Sequence, residues 1–220
     1  MSEKVSIIIV HHDEPEYLNI LLQSIKVCSI ENDYIINVID NNSKEQKSIN
    51  FINNLKSRKD INIIENDSEI SFRECLYKGI EESEESDYFV FSHSDNVILN
   101  KQWLDYMIGL FIDNKKIGAI CDSKLIEFTG PNSQTNKGPN YNFLMTPTEI
   151  FNAVGKFKYN KCNNIGLFLG YHFQLQVVGL ETIGVYNVIN HYSLGSISQE
   201  QKIEDIKLFN QQFVDHVSEK

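Results

Sequence analysis

The stretch YFVFSHSDNVIL, Tyr88 to Leu99, leads from an apolar run into His93, Ser94 and Asp95. An imidazole and a carboxylate two residues apart at a strand end are donors for a divalent cation, and they serve equally well as polar punctuation of a turn. Two other apolar runs finish in the same way. His11-His12-Asp13 follows the run Val5 to Val10, and Asp40-Asn41-Asn42-Ser43 follows YIINVI. Each set alone reads as turn and cap residues. Gathered at one sheet edge, the three make a site for a polar ligand. His172 and His191 are among the imidazoles of the second half of the chain.

The elements that must position these groups alternate. Val5 to Val10 is a β-branched run broken only by Ser6, as in a strand buried on both faces, and Tyr17, Leu18, Leu21, Leu22 and Ile25 follow at helical spacing. Asp13 fits the N-cap of that helix, with Glu16 three residues on. Tyr34 to Asp40 precedes a helical face of Ile49, Ile52 and Leu55, and Ile61 to Asn66 precedes one of Phe72, Cys75, Leu76 and Ile80. A fourth strand, Tyr88 to Phe91, leads to a helix with Trp103, Leu104, Met107 and Leu110, and Ile117 to Phe128 reads as a fifth strand. Strands separated by helices predict a doubly wound α/β domain with a mainly parallel sheet, whose ligands bind at the carboxyl ends of the strands.

Beyond that point the periodicity weakens. Thr129 to Tyr141, TGPNSQTNKGPNY, reads as an irregular surface loop inside the domain. Thr146-Pro147-Thr148-Glu149 has the form of a capping box opening a helix through Val154, and Glu181 to Ile189 is β-rich. Ile203, Ile206, Phe209, Phe213 and Val217 predict an amphipathic C-terminal helix. The expected organisation is one domain over 1–220, with a nucleotide-binding half 1–128, an acceptor-side half 129–196 and the C-terminal helix 197–220.

Composition narrows the partners. The 220 residues are 41% hydrophobic and 23% charged, enough for a sizeable core. A formal charge of −10 argues against a nucleic-acid or anionic-membrane surface. The cysteines Cys28, Cys75, Cys121 and Cys162 are widely spaced with no C-x-x-C pair, and read as reduced core residues. No segment approaches the ~20 apolar residues of a membrane span, so a cytoplasmic protein is expected.

With these features in place, the chain resembles the family 2 glycosyltransferases of the GT-A fold. VSIIIVHHDEPEYLNILLQSI is similar to the family's opening strand and helix, and VIDNNS to its "VVDNGS". SFRECLYKGIEESEESDYFVFSHSD resembles the segment entering the D-x-D motif, and IFNAVGKF the "vGgFD" segment. The resemblance implies that His11, His12, Asp13, Asp40 and Asn42 face the nucleotide of a nucleotide sugar, a UDP-sugar foremost. Ser94 and Arg73, the nearest cation to a family Arg-Asn pair replaced here by Leu76 and Tyr77, join that nucleotide set. It further implies a Mn²⁺ or Mg²⁺ ion held by Asp95 and His191, with His93 in the place of the first D-x-D carboxylate. Such an ion bridges an acidic protein and an anionic diphosphate and stabilises the leaving group.

The sequence also departs from the family. The E-D pair that supplies the general base corresponds to Leu167 and Phe168, and no Asp or Glu occurs between Glu149 and Glu181. His172 has the pKa range of a base, although it reads first as a partly exposed helix residue. Two functions follow: a metal-assisted, inverting hexosyltransferase acting on a glycan or other hydroxyl acceptor, or a GT-A-like module that binds nucleotide or sugar without turnover. A third reading, a doubly wound protein of the nucleotide-binding or redox type, lacks support, since no G-x-G-x-x-G or G-x-x-x-x-G-K motif follows any strand.

Overall fold

The computed structural model describes residues 3–29, 33–83, 85–122, 126–129, 135–138, 142–155, 157, 164–186 and 188–191. The expected C-terminal helix and Cys162 lie outside the described residues. Three βα units open the chain: β1 (Lys4–His11) with α1 (Pro15–Cys28), β2 (Asp33–Asp40) with α2 (Gln46–Leu55), and β3 (Ile61–Glu65) with α3 (Phe72–Glu81). β4 (Tyr88–His93), β5 (Asn96–Ile98), α4 (Trp103–Asp113) and β6 (Ile117–Asp122) follow. The remainder is β7 (Ile126–Thr129), β8 (Thr135–Gly138), β9 (Phe143–Pro147), α5 (Thr148–Val154), α6 (Asn164–Val177), β10 (Glu181–Val185) and β11 (Ile189–His191).

The main sheet has the order β10-β6-β9-β4-β1-β2-β3. Every pairing in it is parallel except those of β9, which runs antiparallel between β4 and β6. The sheet is therefore mainly parallel, as expected, with one reversed strand that the sequence reading lacked. Alternation along the strands fills two cores. Ile7, Ile9, Val38 and Val90 join α1, α2 and α4 on one face, while Ile8, Ile39, Phe89 and Phe91 join α3, α5 and α6 on the other.

Several local expectations are corrected. The helix after β1 starts at Pro15 with Glu14 at the N-cap and no side-chain cap; Asp13 is turned away from that role by a backbone φ of 52°. The expected fifth strand is two, β6 and β7, and β7 pairs antiparallel with β8, which lies inside the stretch read as an irregular loop. Thr146 is a strand residue whose hydroxyl donates to the Gly118 carbonyl at 2.8 Å, so it cannot cap α5. α5 still runs to Val154. The β-rich run after Glu181 is divided into β10 and β11, and β11 pairs with β5 rather than with the main sheet. Cys28, Cys75 and Cys121 are buried free thiols, and no helix among the described residues is long and apolar enough to cross a membrane.

Candidate functional site

Parallel pairing of β1 with both β2 and β4 brings the polar strand ends to one edge. His11 stands opposite Asp40, and Val10 opposite His93. The two strand ends are tied together there, the Asn41 N–H donating to the His11 carbonyl at 2.8 Å and His12 Nδ1 donating to the Asn41 carbonyl at 3.0 Å.

His11 and Asp40 face the side of α2. His11 is 1% exposed and its Nε2 pairs with Ser48 Oγ at 2.9 Å. Burial, with a smaller contribution from the charge of His12, lowers its pKa to about 4, so the ring is neutral near pH 7. The Asp40 carboxyl is 6% exposed; burial lifts its pKa above the usual range, against the opposing hydrogen bond from Ser43. Ser43 Oγ donates to Asp40 Oδ1 at 2.5 Å and accepts the Asp13 N–H at 2.9 Å. Asp13 Oδ1 in turn accepts the N–H groups of Lys44 and Glu45, each at 2.7 Å, immediately before α2. Burial opposes the Asp13 charge, but these two amides outweigh it and hold the carboxyl below its ordinary range. The expected N-cap of α1 thus serves the approach to α2. Asn42, at φ 62°, accepts from Lys44 Nζ at 2.7 Å.

Asn41 fixes the neighbouring loop. Its Oδ1 accepts from the Ile70 N–H and Asn66 Nδ2, and its Nδ2 donates to the Ile70 carbonyl at 2.9 Å. That clamp sets the start of α3, which is capped by a Ser71–Glu74 box. Arg73 lies on the first turn of α3, its guanidinium 5.8 Å from the Tyr77 ring centroid along the same helix.

The turn after β4 is organised by Asn96, which is fully buried. Its Nδ2 donates to Ser92 Oγ at 2.9 Å and to the Asn142 carbonyl at 2.7 Å. Ser94 is buried and Asp95 half-buried. Glu14 has its pKa raised by burial and then by the charge of Asp95, so two carboxyl groups from different strand ends share one field. The antiparallel pairing of β11 with β5 sets the His191 backbone opposite Asn96, one residue beyond Asp95. The His191 side chain lies outside the described residues. His93 points to the opposite face and stacks on Phe72, with centroids 4.4 Å apart and planes 19° apart.

On α6, Leu167 and Phe168 are buried at 1% and 0% exposure, and His172 is 4% exposed. His172 is therefore enclosed, not the partly exposed helix residue of the bland reading. Among the described residues no group of three His, Cys, Asp or Glu side chains is arranged as a metal cage. A groove lined by Lys4, Asp33, Ser83, Asp87 and Thr148 lies at the amino ends of the strands, away from this site. Sequence reading counted Asn41, Ser43 and Asn96 only among the polar strand-end sets and gave none of them a role of its own, nor Glu14. The signal was present for three of them, as Asn and Ser directly after strand runs, a place where side chains commonly hold turns.

A doubly wound sheet of this order defines an α/β protein, and its polar groups are collected at the carboxyl ends of the strands, where folds of this class bind their ligands. The model of glycosyl transferase family 2 matches residues 6–175, and the chain belongs to that family. Among solved structures, it is similar to the mannosyltransferase PcManGT from Pyrobaculum calidifontis in complex with GDP-Man and Mn²⁺, with a TM-score of 0.77 at 12% identity. The similarity covers 98% of this chain and 65% of that one. The α/β architecture is thus the GT-A fold that the sequence resemblance implied. No curated protein matches the sequence.

Proposed function

We propose that the chain transfers a hexosyl group from a nucleotide sugar, foremost a UDP-sugar, to the hydroxyl of a glycan or similar acceptor, with a divalent metal and with inversion. The observation that carries this reading is the flanking of β1 by Asp40 on β2 and Asp95 just beyond β4, within a chain of family 2. His11, His12, Asp13, Asp40 and Asn42 surround the nucleotide's base; Ser94 and Arg73 complete the nucleotide site. His11 acts there as a neutral group, since burial keeps its proton off.

Mn²⁺ or Mg²⁺ fits the donor set in one respect: Asp95 and Glu14 bring like charges toward each other, a field that a cation relieves. Asp95 and His191 would hold the ion, which neutralises the leaving diphosphate. His93, stacked on Phe72, serves better as a wall than as a ligand. Free buried thiols agree with a cytoplasmic setting.

The second reading, a module that binds without turnover, is favoured by one observation. Leu167 and Phe168, at the family's base position, are packed into the core. The experiment that separates the two is a thermal-shift and hydrolysis screen of nucleotide sugars with and without Mn²⁺. Stabilisation with turnover supports the enzyme, stabilisation alone supports the module, and no stabilisation by any nucleotide overturns both.

A further inference from the structure

Two central strands carry polar side chains where the core is otherwise apolar. Ser6 on β1 and Asn37 on β2 are both 0% exposed, and alternation sets them on the same sheet face as Ile8 and Ile39, the face covered by α3. Ser6 Oγ donates to Ser83 Oγ, just past the end of α3, at 2.6 Å, and Ser83 Oγ donates in turn to the Gly79 carbonyl at 2.7 Å. Asn37 Nδ2 donates to both hydroxyls, at 3.0 and 3.2 Å. Its Oδ1 has no partner among the described residues.

Ser83 is also part of the groove at the amino ends of β1, β2 and β4, a cavity of about 860 Å³. That lies within the range of about 300–1,000 Å³ common to small-molecule sites. Two further hydroxyls of its lining, Ser86 Oγ and Thr148 Oγ1, are likewise buried and without a partner among the described residues. Buried polar atoms left unpaired are rare in folded proteins unless a ligand or ordered water completes them. Three of them, from β2, the approach to β4 and the start of α5, converge on this one groove.

Charge narrows the ligand. Asp33, Glu85 and Asp87 outnumber the one ammonium of the lining, Lys4, so an anion is repelled. Among the described residues no such carboxylates are arranged to hold a metal ion. The rest of the polar lining, the three hydroxyls and the Asn152 carboxamide, consists of groups that both donate and accept. Ile80, half-buried, adds an apolar strip. A neutral molecule with hydroxyls set around a C–H frame matches that combination, since each hydroxyl also donates and accepts while the frame rests on Ile80.

We infer that this groove is a second binding site, for a neutral saccharide. Lys4 and His11 stand at opposite ends of β1, so about 23 Å of extended chain separates it from the nucleotide edge. The site stands independently of the nucleotide-sugar reading above, and both ligands can be bound together.

The test is saturation-transfer NMR followed by calorimetry on the full chain, with the methyl glycosides of glucose, galactose, mannose and N-acetylglucosamine, and with maltotriose and cellotriose. Expected is saturable binding of at least one probe, undiminished by saturating UDP with Mn²⁺. Because Ser86 Oγ and Thr148 Oγ1 make no bond within the fold, Ser86→Ala and Thr148→Val should leave the melting temperature unchanged. Each should weaken the bound saccharide about threefold to tenfold, the scale of one hydrogen bond. Affinity that both variants leave unchanged, displacement of the saccharide by UDP, or failure of every probe to bind overturns the inference. None of those three results bears on whether the carboxyl edge binds a nucleotide sugar.

Discussion

The Ser43 hydroxyl donates to Asp40 Oδ1 at 2.5 Å while accepting the Asp13 N–H, so one side chain ties the turn after β1 to the carboxylate ending β2. Asp40 is held in one orientation by this bond, although burial makes its charge unfavourable. A buried carboxylate kept at the cost of stability is a common trait of binding sites.

Replacing Asp40 should therefore separate stability from binding. Asp40→Asn keeps an acceptor for Ser43 and removes the buried charge. Because the folded-state pKa of Asp40 is raised, its stabilising effect is present at low pH and is lost as pH rises through that value. The variant should melt at or above the wild-type temperature at pH 7. Nucleotide affinity, measured by calorimetry, should fall by about 1–3 kcal/mol, the scale of a lost hydrogen bond to a charged group.

Asp95→Asn should make diphosphate binding insensitive to Mn²⁺, since the shape is kept and the charge that attracts a hard cation is gone. Titration of the diphosphate with Mn²⁺ and with EDTA reads this directly. Wild-type affinity that is the same in both conditions would remove the metal from the mechanism.

His172→Ala should lower turnover by about 10²–10⁴ while sparing donor affinity, if the imidazole accepts the acceptor's proton. His172 follows Phe168 by one helical turn on α6, so it shares a face with the family's base position. The acid limb of the pH–rate profile should vanish with it. Wild-type turnover in the variant would place the base elsewhere.

His11 predicts acid sensitivity of the fold. Its folded-state pKa, about 4, lies below the ordinary imidazole value, so its contribution is fully present above about pH 6.5 and is lost as pH falls through about 4. The loss amounts to at most about 3 kcal/mol. Denaturant unfolding between pH 7 and 4 should be less steeply pH-dependent in His11→Asn than in the wild type.

At Gly79, α3 lies close against side chains of the sheet. An added Cβ would lie 2.5 Å from Ile8 Cγ2 and 2.9 Å from Ile39 Cδ1, both in the core. Gly79→Ala should destabilise by about 1–3 kcal/mol through overpacking, despite the better helix propensity of alanine. Chemical denaturation checks this, and the shift of α3 should also disturb the Phe72–His93 stack.

The sequence by itself determined the βα order and the strand ends. Val5 to Val10 and Tyr34 to Ile39 are apolar runs suited to central strands, so the first polar residues after them had to lie at the sheet's carboxyl edge. It also showed, by resemblance, the family, and led to the expectation that Leu167 and Phe168 stand where the family carries its base. Tertiary structure decided what depends on distant pairing. The reversed strand β9 is only five residues long, and its place between β4 and β6 comes from partners in distant segments of the chain. The short β11 sets the His191 backbone opposite Asn96 through strand pairing that no local pattern encodes. Asp13 fits an N-cap in sequence, yet a left-handed backbone turns its carboxylate to Lys44 and Glu45, and only packing selects that conformation. The burial of His11 and His172, and the meeting of Phe72, His93 and Phe168, follow from how α2, α3 and α6 lie on the sheet, since side-chain environment is a property of packed neighbours rather than of the residues themselves.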